Sequence, residues 1–175
     1  TRPVLTAPLV VFQFCLLVVA AFALARRMFS DRAAAFACAL VGCSPIVAWA
    51  TAMGQETGLI AIALAALLLY LPRDRVDATD GGAVFAGLAA GLAAVAREYG
   101  LALILFGLGL ALVRRLSARS LGLFLGAAAV AALPWYTRNW IRTGNPLVSL
   151  NVGGWFPVNE VHAWMNQSYQ AEFGW

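Results

Sequence analysis

From Val4 to Ala25 the chain runs without a single charged residue. A stretch of that length and character is about what is needed to cross the ~30 Å hydrocarbon core of a bilayer. Five further apolar runs follow: Ala33–Ala50, Leu59–Leu71, Ala83–Ala96, Leu101–Val113 and Leu121–Trp135, divided by short polar or charged connections. Backbone in lipid must satisfy its own hydrogen bonds, so the runs are predicted to be helices. Several fall short of the ~20 residues a crossing needs, but flanking Arg and Tyr can snorkel and anchor at the interface. Ala83 to Val113 as one helix would be about 46 Å long at 1.5 Å per residue, too long for one crossing, so a hairpin at Arg97-Glu98 is expected. The predicted fold is an all-α polytopic transmembrane helix bundle of about six spans.

Composition supports the class. Hydrophobic residues make up 62% of the chain and charged residues 11%, with a mean hydropathy of +0.81. Soluble domains carry about a quarter charged residues. The sequence opens at Thr1 without a basic start, so this end does not read as a signal peptide but as an internal piece of a longer chain. Cys15, Cys38 and Cys43 lie inside apolar runs and are expected to act as small hydrophobes without a disulfide. The +4 charge is carried by Arg alone and follows membrane topology, giving no reason to expect nucleic acid.

One set of connections holds Arg26, Arg27, Arg32, Arg73, Arg75, Arg114, Arg115 and Arg119; the other holds Arg2, Arg97, Arg138 and Arg142. Eight against four puts the first set in the cytoplasm by the positive-inside rule. All six Trp and the four Glu (Glu56, Glu98, Glu160 and Glu172) fall on or near the opposite side, as an interfacial belt requires. The organisation expected is a bundle over 1–136, followed over 137–175 by an outer-face loop and an amphipathic juxtamembrane helix from Asn159 to about Phe173. Within the bundle, Gly87–Gly91 and Gly122–Gly126 have small-xxx-small spacing suited to helix packing. Pro45 after Ser44 is expected to kink the second span, Gln13 to bond between helices, and Thr79 or Asp80 to cap the fourth helix.

The polar stretch Thr51–Gly58 reads as a tight turn holding Glu56, and Pro134–Pro146 is rich in aromatics, amides and Arg at the outer face. Pro134-Trp-Tyr-Thr-Arg-Asn-Trp-Ile-Arg-Thr-Gly-Asn-Pro146 resembles the Pro-Trp-x-x-Arg-Asn…Gly-Asn-Pro motif of GT-C class polytopic glycosyltransferases of family-39 type, which include protein O-mannosyltransferases and aminoarabinose transferases. Ala25-Arg-Arg-Met-Phe-Ser is similar to their cytoplasmic arginine turn, and Ser44-Pro45 to a Ser-Pro midway along the next span. Gly54-Gln-Glu-Thr57 is similar to a Gly-x-Glu-Thr outer hairpin, and Ala96-Arg-Glu-Tyr-Gly100 to the following outer turn. The resemblance covers nearly the whole chain.

It implies transfer of a sugar from a polyprenyl-phosphate donor to an acceptor of unknown kind at the outer face of a bacterial inner or plasma membrane. It also implies that the essential acid lies upstream of Thr1, so no catalytic residue is expected in this fragment and the fragment alone should be inactive. The substrate-binding candidates are Glu56, Arg97 and Arg138. Arg presents a fork matched to phosphate oxygens and stays charged when partly desolvated. Against this, a cation at a helix C-terminus is favourable by about 0.3–1 kcal/mol with no ligand at all. Glu56, beside Gly54, would bind acceptor hydroxyls or hold a divalent metal with the missing acid; Glu98 reads as a helix-dipole partner and His162 as surface. No residue set has metal-ligand spacing, so no cofactor is assigned. The alternative is a polytopic transporter or membrane assembly subunit without catalysis. A transporter more often places ionisable groups near the midplane, whereas here the charges gather at the ends of the runs.

Overall fold

A computed structural model describes residues 3–52, 57–71, 79–147, 163, 164 and 167, with side chains from residue 7 onward and without that of Tyr99. Glu56, the loop around Arg73 and nearly all of the expected 159–173 helix lie outside the described residues. The described residues form seven α-helices and no strand: α1 (Pro3–Met28), α2 (Asp31–Gly42), α3 (Pro45–Ala52), α4 (Thr57–Tyr70), α5 (Asp80–Ala96), α6 (Leu101–Val113) and α7 (Ala118–Thr143), with a 3₁₀ turn at Glu98–Gly100. The chain is an all-α membrane helix bundle. Contacts divide it into two compact units, Thr1–Ala131 and Ala132–Trp175.

The six apolar runs are helical but for a break at Cys43-Ser44 and the last residue, Leu71, of the third. Residues 7–28 and 118–143 are long and apolar enough to cross a membrane alone, and α2 with α3 would make a third crossing as a pair bent by 56°. The bend has a local cause. Pro45 opens α3 at the position where its missing N–H is harmless, and the Ser44 hydroxyl accepts a hydrogen bond from the Val47 N–H at 3.4 Å. The Ser-Pro pair therefore starts a new helix, with the hydroxyl capping an N–H instead of serving a freed carbonyl. α4 and α6, of 14 and 13 residues, are shorter than a crossing by several residues. α7 runs past the expected end at Trp135 to Thr143 and stops before Gly144. Gly144 has φ 70° and its N–H closes on the Trp140 carbonyl at 2.8 Å.

One end of the Thr1–Ala131 unit gathers arginines. Arg27, at the end of α1, donates to the Leu69 carbonyl, and Arg114, at the end of α6, to the Leu71 carbonyl at 3.0 Å. Cations from two distant segments thus satisfy the C-terminal carbonyls of α4, where the helix dipole favours them. Arg119 pairs with Asp80 at 2.7 Å, and Thr79 caps α5 by accepting from the Gly82 N–H. Arg26, Arg27, Arg114 and Arg119, assigned to one side by charge counting, do meet at one end of the bundle.

The core is built from small side chains around one large one. Phe124 of α7 is fully buried with Leu67, Leu71, Ala83, Ala86 and Ala90. A Cβ on Gly107 would stand 2.5 Å from the Phe124 ring, and one on Gly87 would stand 2.2 Å from the Phe124 carbonyl. Both glycines make room for the same residue. Gly91 continues this contact one turn on, 2.5 Å from the Ala128 carbonyl by the same measure. The Gly87–Gly91 spacing is therefore an α5–α7 packing motif. Gly122 and Gly126 meet nothing within 4 Å, so the second small-xxx-small pattern packs against none of the described helices.

Candidate functional site

α4 and α5 run antiparallel, since a Cβ on Gly82 at the start of α5 would lie 2.6 Å from the Tyr70 carbonyl at the end of α4. The start of α4 and the end of α5 therefore share the end of the unit opposite the arginine cluster. Arg97 sits there. It terminates α5 in an extended conformation (φ −155°, ψ 148°), with its N–H on the Ala93 carbonyl and its carbonyl accepting from Gly100 at 2.8 Å. Its side chain is exposed and Glu98, opening the 3₁₀ turn, is half-buried. Gly100 makes this turn sterically possible, because a Cβ there would fall 2.1 Å from the Ala93 carbonyl oxygen. Sequence reasoning quoted Gly100 only as part of a motif; the structural signal is the close backbone approach.

Between α4 and α5 at the same end lies an apolar cavity of about 410 Å³. Leu59 and Ile62 line one side, and Leu92, Ala93, Val95 and Ala96 the other. Leu92 is 62% exposed, so the cavity opens onto the bundle surface. The volume is within the range of small-molecule sites, and the lining is aliphatic throughout. Arg97 follows directly on Ala96, the last lining residue. Sequence reasoning did not find this cavity. Its only trace in the sequence is the run of alanines on both helices, which leaves space where larger side chains would fill it.

Glu56 lies outside the described residues, so its side chain is not placed. Its chain neighbour Thr57 opens α4, and Gly58 is buried against Gln13 of α1, whose Nε2 would stand 2.6 Å from a Cβ there. Gln13 thus packs against the start of α4, a contact between helices where the sequence suggested a bond. Among the described residues no three His, Cys, Asp or Glu side chains come together as a metal site.

Arg138 belongs to the Ala132–Trp175 unit. It lies within α7, not at its end, which removes the helix-terminus explanation for its charge. Its guanidinium carbon lies 5.3 Å from the Trp135 ring centre, and Nη1 donates to the Asn139 Oδ1 at 3.5 Å. Asn139 is 4% exposed, while Arg138 is exposed. The Gly-Asn-Pro that follows is a helix terminator. Thr143 Oγ1 donates to the Asn139 carbonyl at 2.8 Å, and the buried Asn145 Oδ1 accepts from the Leu147 N–H at 2.8 Å.

Residues 6–138, from α1 to Arg138, match the family described as dolichyl-phosphate-mannose-protein mannosyltransferase. No curated protein and no solved structure matches the chain. The match spans most of the 175 residues and covers the arginine end, the α4–α5 cavity and Arg97. With the apolar helices, it makes the chain an integral membrane protein of the glycosyltransferase class and disfavours a transporter without chemistry. By these residues, the chain belongs to the dolichyl-phosphate-mannose-protein mannosyltransferase family.

Proposed function

We propose that the chain is part of an enzyme that transfers a sugar from a polyprenyl-phosphate donor to an acceptor at the outer membrane face. The observation that carries this reading is the aliphatic α4–α5 cavity, open at its side, whose lining ends at Ala96, the residue before Arg97. A polyprenyl-phosphate sugar is a long apolar chain joined to an anion, and the cavity and guanidinium match those two parts in that order. In the transfer, an acceptor oxygen attacks the sugar's anomeric carbon and the bond from that carbon to the phosphate oxygen breaks. The electron pair leaves with the phosphate and the acceptor's proton goes to a base. Arg97 neutralises the charge that develops on the phosphate, through two parallel donors that Lys lacks. Arg138, in the Ala132–Trp175 unit, is a further cation suited to binding phosphate. Glu56, one residue before α4, binds acceptor hydroxyls or a divalent metal ion. The arginine-rich end is cytoplasmic and the Arg97 end is the outer one, in keeping with the positive-inside rule.

Filling the cavity tests the reading. Ala66 and Ala89 line it and are half-buried, so a larger side chain can project into it. Ala89→Phe in the full-length protein is expected to raise KM for a polyprenyl-phosphate sugar by about tenfold, as expected for blocking an apolar contact worth 1–2 kcal/mol, with kcat changed much less. The same KM for Ala89→Phe and the parent enzyme, at equal membrane abundance, would remove the cavity from the donor site.

A further inference from the structure

We propose that the arginine end of the Thr1–Ala131 unit binds anionic phospholipid, with Arg32 and Arg115 among the residues that hold its headgroup. This surface lies at the opposite end from Arg97, and the proposal does not depend on the sugar-donor reading.

Six arginines gather there: Arg26, Arg27 and Arg32 at the α1–α2 junction, and Arg114, Arg115 and Arg119 at the α6–α7 junction. Arg27 and Arg114 reach the carbonyls of Leu69 and Leu71, so both junctions close on the same end of α4. The described acids at this end are Asp31, 2.9 Å from Arg26, and Asp80, paired with Arg119. Six cations against two carboxylates leave a net charge of +4. The 72–78 segment, which joins Leu71 to Thr79, carries two Arg and two Asp and adds none. At the other end of the same unit the described charges, Arg97 and Glu98, cancel.

Two of the six stand where the local helix prefers another residue. Arg115 follows α6 with φ 54°, and no other non-glycine among the described residues has a positive φ. Across this turn the Leu116 N–H bonds the Ala111 carbonyl at 3.0 Å. Glycine ordinarily fills such a position, because a Cβ in the left-handed region crowds the following carbonyl. Arg32 is exposed in the first turn of α2, where a cation opposes the helix dipole, and it bonds no described residue. The surroundings fit a lipid. Apolar helix surface reaches the arginines, with Phe29 74% exposed two residues after Arg27 and Val113 80% exposed beside Arg114. Acyl chains laid along that surface bring a headgroup phosphate level with the guanidiniums, which offer it matched donors. An acidic soluble partner would answer the charge and leave the apolar rim uncovered.

The test is the preference of the full-length protein, in neutral detergent, for phosphatidylglycerol over phosphatidylcholine with the same acyl chains, read as bound lipid by native mass spectrometry. Both lipids carry a phosphate, and only the first has a net negative charge. The parent is expected to prefer phosphatidylglycerol by more than about tenfold. Arg32→Gln and Arg115→Gly are each expected to cut that preference about fivefold, the share of one arginine beside an anionic headgroup. Arg115→Gly is expected to melt no lower than the parent, since glycine suits the left-handed turn. Arg32→Gln changes an exposed helix position and carries the test alone if the glycine variant fails to fold. Inorganic phosphate, added at constant ionic strength, is expected to leave the lipid bound because it lacks acyl chains. A preference within about twofold of the parent in the folded variants would overturn the proposal. So would an equal fall in Arg142→Gln, which removes the same charge from the Ala132–Trp175 unit, or displacement of the lipid by phosphate.

Discussion

Glu56→Gln in the full-length protein is expected to slow sugar transfer by about a hundredfold, the usual effect of losing one preorganised electrostatic contact. The substitution keeps the shape of the side chain and removes only its charge. Glu56 immediately precedes α4, which begins at the Arg97 end of the bundle, beside the apolar cavity. If the carboxylate served only the α4 dipole, its loss would cost less than ~1 kcal/mol of stability and leave turnover nearly intact. The two roles differ by far more than assay error. Turnover of a polyprenyl-phosphate sugar at matched protein level decides between them. A fall of less than about threefold, roughly 0.65 kcal/mol in barrier, would return Glu56 to the helix-end role.

Gly91→Val is expected to destabilise the bundle severely, and Gly126→Val to leave it nearly unchanged. A Cβ at Gly91 would lie 2.5 Å from the Ala128 carbonyl oxygen and 2.7 Å from the Ala131 Cβ. Neither atom is the end of a flexible side chain, so α5 has to back away from α7 and loosen the packing around Phe124. Overpacking of this kind typically costs about 1–3 kcal/mol, and a backbone carbonyl as the obstacle puts Gly91→Val at the upper end. Gly126 faces open space, and its replacement by Val gains a few tenths of a kcal/mol in helix propensity. Thermal unfolding of the two variants in detergent measures the contrast. Equal shifts for Gly91→Val and Gly126→Val would mean that the α5–α7 contact does not hold the bundle together.

Those two glycines also show how far the sequence could be read. Each sits in its own small-xxx-small stretch, and only one of the two packs, because the partner surface, Phe124 to Ala131, is set by tertiary arrangement and not by spacing. The helices themselves were legible, since apolar runs in lipid have few alternatives. So was the side-by-side gathering of arginines, because helix connections alternate between ends. The break at Ser44-Pro45 was visible as a kink, but its conversion into a capped second helix was not, because the hydroxyl had two competing local partners. The apolar run of the last span ends at Trp135. The helix absorbs Pro134 and continues to Thr143, which turns Arg138 from a terminal cation into one on a helix flank.

The candidate site was legible in its charges and not in its shape. Arg97 was assigned to the end of a helix, where it lies. The cavity beside it arises from alanines on α4 and α5 that read singly as ordinary packing. Asn139 was noticed only as a companion to Arg138. Its burial, against the exposure of Arg138, depends on which flank of α7 is covered.

The most direct measurement is transfer from polyprenyl-phosphate mannose by membranes containing the full-length protein, compared between the parent, Arg97→Lys and Arg97→Ala. The family supplies mannose as the first sugar to try. The expected result is transfer by the parent and a loss of about tenfold or more in Arg97→Lys, because a point charge replaces a two-pronged donor, with a larger loss in Arg97→Ala and normal protein abundance in both. Full activity in both Arg97 variants would contradict the donor-phosphate role and return Arg97 to compensating the dipole of α5.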